Sequence, residues 1–187
     1  MQYRPLFNDA GVHSGKAYFY RIVAVNEVGK SPPSNSVGPV PAKCRTLVDE
    51  CGDLHAVAAS EGPVAPSKGK DRRRREDVSR LAISPGGRVT YEVPAAIVRW
   101  STIAFHERPT ARLVVECSPD GKNYLPVPGR ATVLVEAAGD YGYLPATRFD
   151  SAEIPRGARF LRFTAPTEPQ DAAGEVELSR VEIGYEG

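Results

Sequence analysis

The stretch VECSPDGKNYLPV, Val115 to Val127, reads as strand, turn, strand, and it decides the fold class. Asp120 and Gly121 tolerate the positive φ that a tight connection between antiparallel strands requires. Outward from this turn the same grammar repeats. SRLAI ends in SPGG, RVTYEV in a proline, VRWSTIAFH in ERP and ARLVVECS in PDGKN. ATVLVEAAG, ARFLRFTAP and VELSRVEIGY come next toward the carboxyl end. In ARFLRFTAP, Leu161 and Phe163 alternate with Arg162 and Thr164, the period of two of a strand with one core face and one wet face. Short strands punctuated by turns at close intervals predict an all-β chain folded as an antiparallel β-sandwich or barrel.

Composition agrees. The 187 residues are 41% hydrophobic and 25% charged, an ordinary balance for a chain that buries a core. Seventeen glycines, seventeen prolines and eight tyrosines favour turns and strands over long helices. A net charge of +1 supplies no overall field toward nucleic acid or a membrane surface, so neither is expected as a partner. No run approaches the roughly 20 apolar residues of a spanning helix, and MQYRPLFNDAG lacks the apolar centre of a signal peptide. Cys44, Cys51 and Cys117 have no CxxC or paired-histidine spacing for zinc. They leave two readings open, a Cys44 to Cys51 bridge or three free thiols.

The amino-terminal segment AYFYRIVAVNEVGKSPPSNSVGPV, from Ala17, alternates Tyr18, Tyr20, Ile22 and Ala24 with Phe19, Arg21, Val23 and Val25, again at period two. Gly15, Tyr18, Ala24, Val25, Asn26, Gly29, Ser31, Pro33 and Ser34 stand where the last two strands of a fibronectin type III module carry their signature. The segment resembles that family. The family's seven strands take about 100 residues, so the resemblance implies a module whose leading strands are absent, cut from a longer multimodular protein. Such a piece exposes an apolar face, and it is expected to pack on the remainder of the chain or on a neighbouring chain. The proline-rich SVGPVPAK marks a module boundary, giving a partial fibronectin type III-like segment at 1–41 and a second module at 42–187.

Three passages of the second module, VECSPDGKNYLPV, ARFLRFTAP and VELSRVEIGY, are similar to the galactose-binding-like, or discoidin-like, jelly-roll superfamily. That resemblance implies a β-sandwich of the kind appended to bacterial polysaccharide-degrading enzymes as a carbohydrate-binding or ancillary module. It also implies a structural calcium ion, for which Asp49, Glu50 and Asp53 at the start of the module and Glu182 in its last strand are the candidate oxygen ligands. Ordinary surface carboxylates are the competing reading.

No constellation for bond chemistry is legible. His13, His55 and His106 are scattered, and GxSxG, HExxH and phosphate-binding glycine loops are missing. A catalytic role is therefore not expected. Tyr141 and Tyr143, in the loop GDYGYLP, are candidate platforms for a sugar ring, with Arg88, Arg99 and His106 as candidate hydrogen-bonding partners; the alternative folds both rings over the module's own edge. Trp100 reads either as core or as a platform. The run KGKDRRRR, Lys68 to Arg75, reads either as a polyanion contact or as a solvated loop rim. The expected function is a non-catalytic glycan-binding or ancillary module beside the catalytic domain of a secreted, extracellular parent protein. The alternative is a sandwich that buttresses such a domain and has no ligand.

Overall fold

The computed structural model describes residues 9, 11–13, 15–41, 44–75, 77–106, 112–135, 142–168 and 174–187. The chain opens with a hairpin: β1 (Ala17–Tyr20) pairs with β4 (Val37–Pro41), and β2 (Val25–Asn26) with β3 (Gly29–Lys30). Twelve strands come after it: β5 (Arg45–Asp49), β6 (Ala59–Glu61), β7 (Val64–Asp71), β8 (Asp77–Ile83), β9 (Arg88–Glu92), β10 (Ile97–His106), β11 (Val114–Ser118), β12 (Leu125–Pro126), β13 (Arg130–Val135), β14 (Ala146–Ser151), β15 (Phe160–Thr164) and β16 (Val176–Tyr185). They form two antiparallel sheets. One runs β13-β14-β10-β16-β8-β7 with β5 also on β16, and the other β12-β11-β15-β9-β6. From β8 onward the chain crosses repeatedly between them, as a jelly-roll sandwich does. Among the described residues no helix is long and apolar enough to cross a membrane.

The core is what the period of two places between the sheets. Leu81 and Ile83 of β8, Trp100 and Ala104 of β10, and Leu178, Val181 and Ile183 of β16 meet Val89 and Tyr91 of β9, Val115 and Cys117 of β11, and Leu161 and Phe163 of β15. Trp100 is 1% exposed and meets the Phe163 ring edge-on at 5.7 Å, which settles it as core. β10 and β16 pair along ten residues each, with one extra residue in either strand: Val98 interrupts the ladder between Ile97 and Arg99, and Ser179 between Leu178 and Arg180. At the second bulge Leu178 and Val181 both face the core although three positions apart, so Ser179 and Arg180 are left on the far side.

That far side is buried too. A 3-10 turn at Arg72–Arg74, the tip of the β7–β8 connection, lays Arg74 against Glu177, whose carboxylate also takes Arg80 at 2.9 Å. Ser179 donates its hydroxyl to Asp77 alongside. The basic run is therefore only partly a solvated rim, because Arg74 is buried on a carboxylate 103 residues away in sequence. Between Cys44 and Cys51 lies the extended β5, which at roughly 3.3 Å per residue holds them far beyond bridging distance. All three cysteines are free thiols.

The hairpin behaves differently. Tyr18 lies in β1 with its ring half-buried, and its hydroxyl accepts the His13 N–H at 2.9 Å. Phe19 is 66% exposed, Ile22 77% and Val28 95%, with Val25, Val37 and Val40 also open to solvent. No strand pairing among the described residues joins β1 or β4 to either large sheet. The expected burial of this face on the second module is not what these residues show. Within the hairpin the Ser31 and Ser34 hydroxyls accept the Ala24 and Ile22 N–H groups, and the Ser31 and Ser34 N–H groups donate to the Ala24 and Ile22 carbonyls.

Two buried polar contacts invite measurement. Tyr91 donates to Asp49 at 2.8 Å, so Tyr91→Phe strands a buried carboxylate oxygen and is expected to cost about 1–3 kcal/mol in urea unfolding. Burial, with Cys51 and Asp49 beside it, raises the Tyr91 pKa well above 10.0. The protonated phenol thus belongs to the folded state, and the unfolded chain gains by ionising; wild-type stability should fall as pH rises past about 10, and the Tyr91→Phe variant should lack this contribution. Glu177→Ala leaves two guanidinium groups in a buried site without their shared carboxylate and should cost about 3–5 kcal/mol by the same assay.

Candidate functional site

The solvent face of the five-stranded sheet carries the residues that alternate with the core. On β11 these are Val114 and Glu116, on β15 Phe160, Arg162 and Thr164, and on β9 Arg88, Thr90 and Glu92. Register brings Pro126, Glu116, Arg162, Thr90 and Ala59 into one rung across all five strands. Within it Arg162 donates from Nε and Nη2 to the same Glu116 oxygen, at 3.0 and 2.8 Å. The guanidinium carbon lies 3.6 Å from the centre of the Tyr124 ring, so Arg162 is fixed as a flat plate between the ring and the sheet.

The turn that carries Tyr124 is built by Asp120. Its carboxylate accepts the Lys122 and Asn123 backbone N–H groups at 2.9 Å, the Ser118 hydroxyl at 2.8 Å and the Asn123 amide at 2.8 Å. These donors, the Asn123 N–H first, hold its pKa well below the usual carboxylate range. Gly121 has φ +71°, and an added Cβ would stand 3.2 Å from the Phe160 ring, so only glycine lets the turn sit flat on Phe160. The turn thus forms one wall of a shallow open groove of about 290 Å³, lined by Glu61, Thr90, Glu92, Lys122, Tyr124, Phe160 and Arg162 among others. A second hollow of about 430 Å³, with His55, Pro94 and Arg159, continues from it, sharing Ala58 and Glu92. Each is near or within the small-molecule range that begins around 300 Å³.

The residues expected to bind a ligand do not gather at one place. Tyr141 lies outside the described residues. Tyr143 is half-buried under Arg75, whose guanidinium sits 4.7 Å from the ring centre, so the ring's exposed face is partly taken. His106, at the end of β10, is buried beside Phe149 with ring centres 5.5 Å apart. Arg99 lies on the seven-stranded sheet, bonded to Thr46 at 3.2 Å and stretched over Gly184, where a Cβ would come within 2.7 Å of its side chain. Arg88 alone borders the groove, paired with Glu61 at 2.7 Å.

The carboxylates expected to hold calcium are arranged around an arginine. First and last strands of the sandwich are neighbours as the jelly-roll resemblance implies, with Asp49 opposite Val181 and Val48 opposite Glu182. The β16 bulge, however, projects Arg180 into this corner, where it pairs with both Glu50 and Glu182, the latter at 2.7 Å. Asp49 turns inward to Tyr91 and to the Cys51 N–H, and Asp53 accepts the His55 N–H at 2.8 Å. Among the described residues no three His, Cys, Asp or Glu side chains stand at a spacing that holds a metal ion.

Sequence reasoning missed the Glu116–Arg162–Tyr124 set as a site, although it placed Arg162 on a wet face and Tyr124 after the turn. The available signal was two opposite charges at wet positions of strands that flank one core, together with an aromatic six residues beyond Ser118, where the turn begins.

No protein-family model matches the chain, and no curated protein is similar to it in sequence. Solved structures are similar at low identity. The C-terminal CBM6 of LamC, a marine laminarinase from Zobellia galactanivorans, aligns with a TM-score of 0.45 and 12% identity over 75% of this chain and 99% of that one. The M60 catalytic domain with CBM51-1 and CBM51-2 of Clostridium perfringens ZmpB gives 0.43 and 12% over 96% of this chain, which spans 19% of that protein. An exo-β-1,3-galactanase from Phanerochaete chrysosporium, solved with galactose, gives 0.40 and 14% over 79% of this chain and 32% of that one. The TM-scores stay below 0.5, and the strand pairing described above carries the fold by itself.

Proposed function

We propose that this chain is a non-catalytic glycan-binding module that binds through the solvent face of its five-stranded sheet. The observation that carries the reading is the groove where Tyr124 and Phe160 stand beside the Arg162–Glu116 pair, Thr90 and Glu92. The face of Tyr124 turned away from Arg162 suits the apolar side of a pyranose, and the alternating donors and acceptors suit its hydroxyls. An open groove on rigid strands binds without enclosing, which fits a module that raises local substrate concentration for a catalytic neighbour by tethering. In this reading the hairpin at 1–41 and the sandwich at 42–187 are separate modules of a secreted, extracellular protein. The exposed apolar residues of the hairpin favour a second role for that part, packing against a neighbouring domain as a buttress.

Retention in polysaccharide-containing native gels tests the reading. Tyr124→Ala should abolish retention while changing unfolding free energy by less than about 1 kcal/mol, since a partly exposed cation–π pair contributes little to the fold. Tyr141→Ala combined with Tyr143→Ala should leave retention intact. Loss of retention in the loop double variant and not in Tyr124→Ala would move the site to the loop; no retention of the wild type on any polysaccharide would leave the buttress role.

A further inference from the structure

The arginines around the groove are compensated one by one. Arg162 is committed to Glu116 at 2.8 Å, Arg159 to Glu92 at 3.1 Å and Arg88 to Glu61 at 2.7 Å. Lys122 is the exception: it is exposed at the rim and makes no side-chain ion pair with a described residue. The three arginines are therefore three closed pairs. Each pair still has unused positions: from the described residues, Arg162 Nη1 and Glu116 Oε1 have no hydrogen-bonding partner, and the same is true of Arg159 Nη1 and Glu92 Oε2.

Resting on the glycan-binding reading, we infer that the groove selects a neutral polysaccharide and discriminates against uronic and sulfated ones. A carboxylate or sulfate entering the groove meets guanidinium groups whose charge is already answered. To accept from an unused guanidinium N–H it must sit beside the glutamate that already answers that guanidinium, and like charges at this distance repel. A neutral hydroxyl faces no such penalty. It accepts from the unused guanidinium N–H and donates to the unused carboxylate oxygen without breaking the pair. Two hydroxyls on adjacent carbons match a donor and an acceptor held side by side, and hydrogen bonds to charged groups are the stronger kind. The two joined hollows set Arg162 and the Arg159–Glu92 pair in succession along the groove, with Glu116 beside Arg162 on the neighbouring strand. The ligand is thus a chain with more than one hydroxyl-bearing ring in contact.

The test is affinity electrophoresis of the 187-residue chain in gels carrying neutral polysaccharides (a β-glucan, a mannan, a galactan) or acidic ones (polygalacturonate, alginate, a carrageenan), at low and high salt. The expected result is retention on at least one neutral gel that high salt does not weaken, because no net charge is exchanged. Glu116→Gln and Arg162→Met should each weaken that retention about tenfold, with unchanged circular dichroism. Retention confined to acidic gels and lost at high salt would overturn the neutral selection while leaving glycan binding standing. Neutral retention indifferent to both substitutions would overturn the role of the charge pairs. Absence of retention on every gel would overturn both this inference and the reading on which it rests.

Discussion

Phe163 is the side chain on which the sandwich closes. Its ring meets Trp100 of the opposite sheet edge-on at 5.7 Å and Tyr91 of its own sheet at 6.0 Å, so one residue of β15 joins β9 to β10. With Phe163 and Leu161 turned inward, the pleat leaves Arg162 no choice of face. The same geometry sends Glu116 outward when Val115 and Cys117 point in, and Thr90 outward when Val89 and Tyr91 do. The groove's chemistry is therefore the complement of the core: any slip that exposed Phe163 would also bury Arg162.

Much of this was legible in the sequence. Alternation in ARFLRF assigns the core and surface positions of β15, and in VVEC it does the same for Val114 to Cys117, while the buried Ser118 breaks the pattern where it enters the turn; the Asp120–Gly121 turn is set by residue chemistry alone. What was not legible is registration between distant strands. Arg74 in a basic run looks solvated until Glu177 is known to lie beneath it, and nothing local announces a partner at that separation. The same applies to the acidic set. Adjacency of β5 and β16 places Glu50 and Glu182 near each other, as jelly-roll topology implies, yet whether they face a cation or a guanidinium depends on a one-residue bulge that hydrophobic periodicity cannot locate.

The two parts of the chain differ in how they meet the demands of their backbones. The sandwich satisfies its strands by lateral pairing and its side chains by burial between sheets. The hairpin pairs its own short strands, lends two serine hydroxyls to the Ile22 and Ala24 N–H groups, and leaves Phe19, Ile22 and Val28 in water. A two-stranded ribbon on its own is marginal, which gives this part a reason to seek contact that the sandwich lacks.

The paired bulges of β10 and β16 amount to a change of parity. In β16 the core residues are even-numbered before the bulge, Val176 and Leu178, and odd-numbered after it, Val181 and Ile183. In β10 the switch runs from Ile97 to Trp100 and Ala104. Because each strand gains one residue, the ends come back into step, with Ile97 opposite Tyr185 and His106 opposite Val176. The central strands thus work like a vernier: a middle section offset by one position lies between ends that coincide. Losing the extra residue from only one strand would carry the misfit out to the ends, to the corner held by Arg180 or the one held by Arg74.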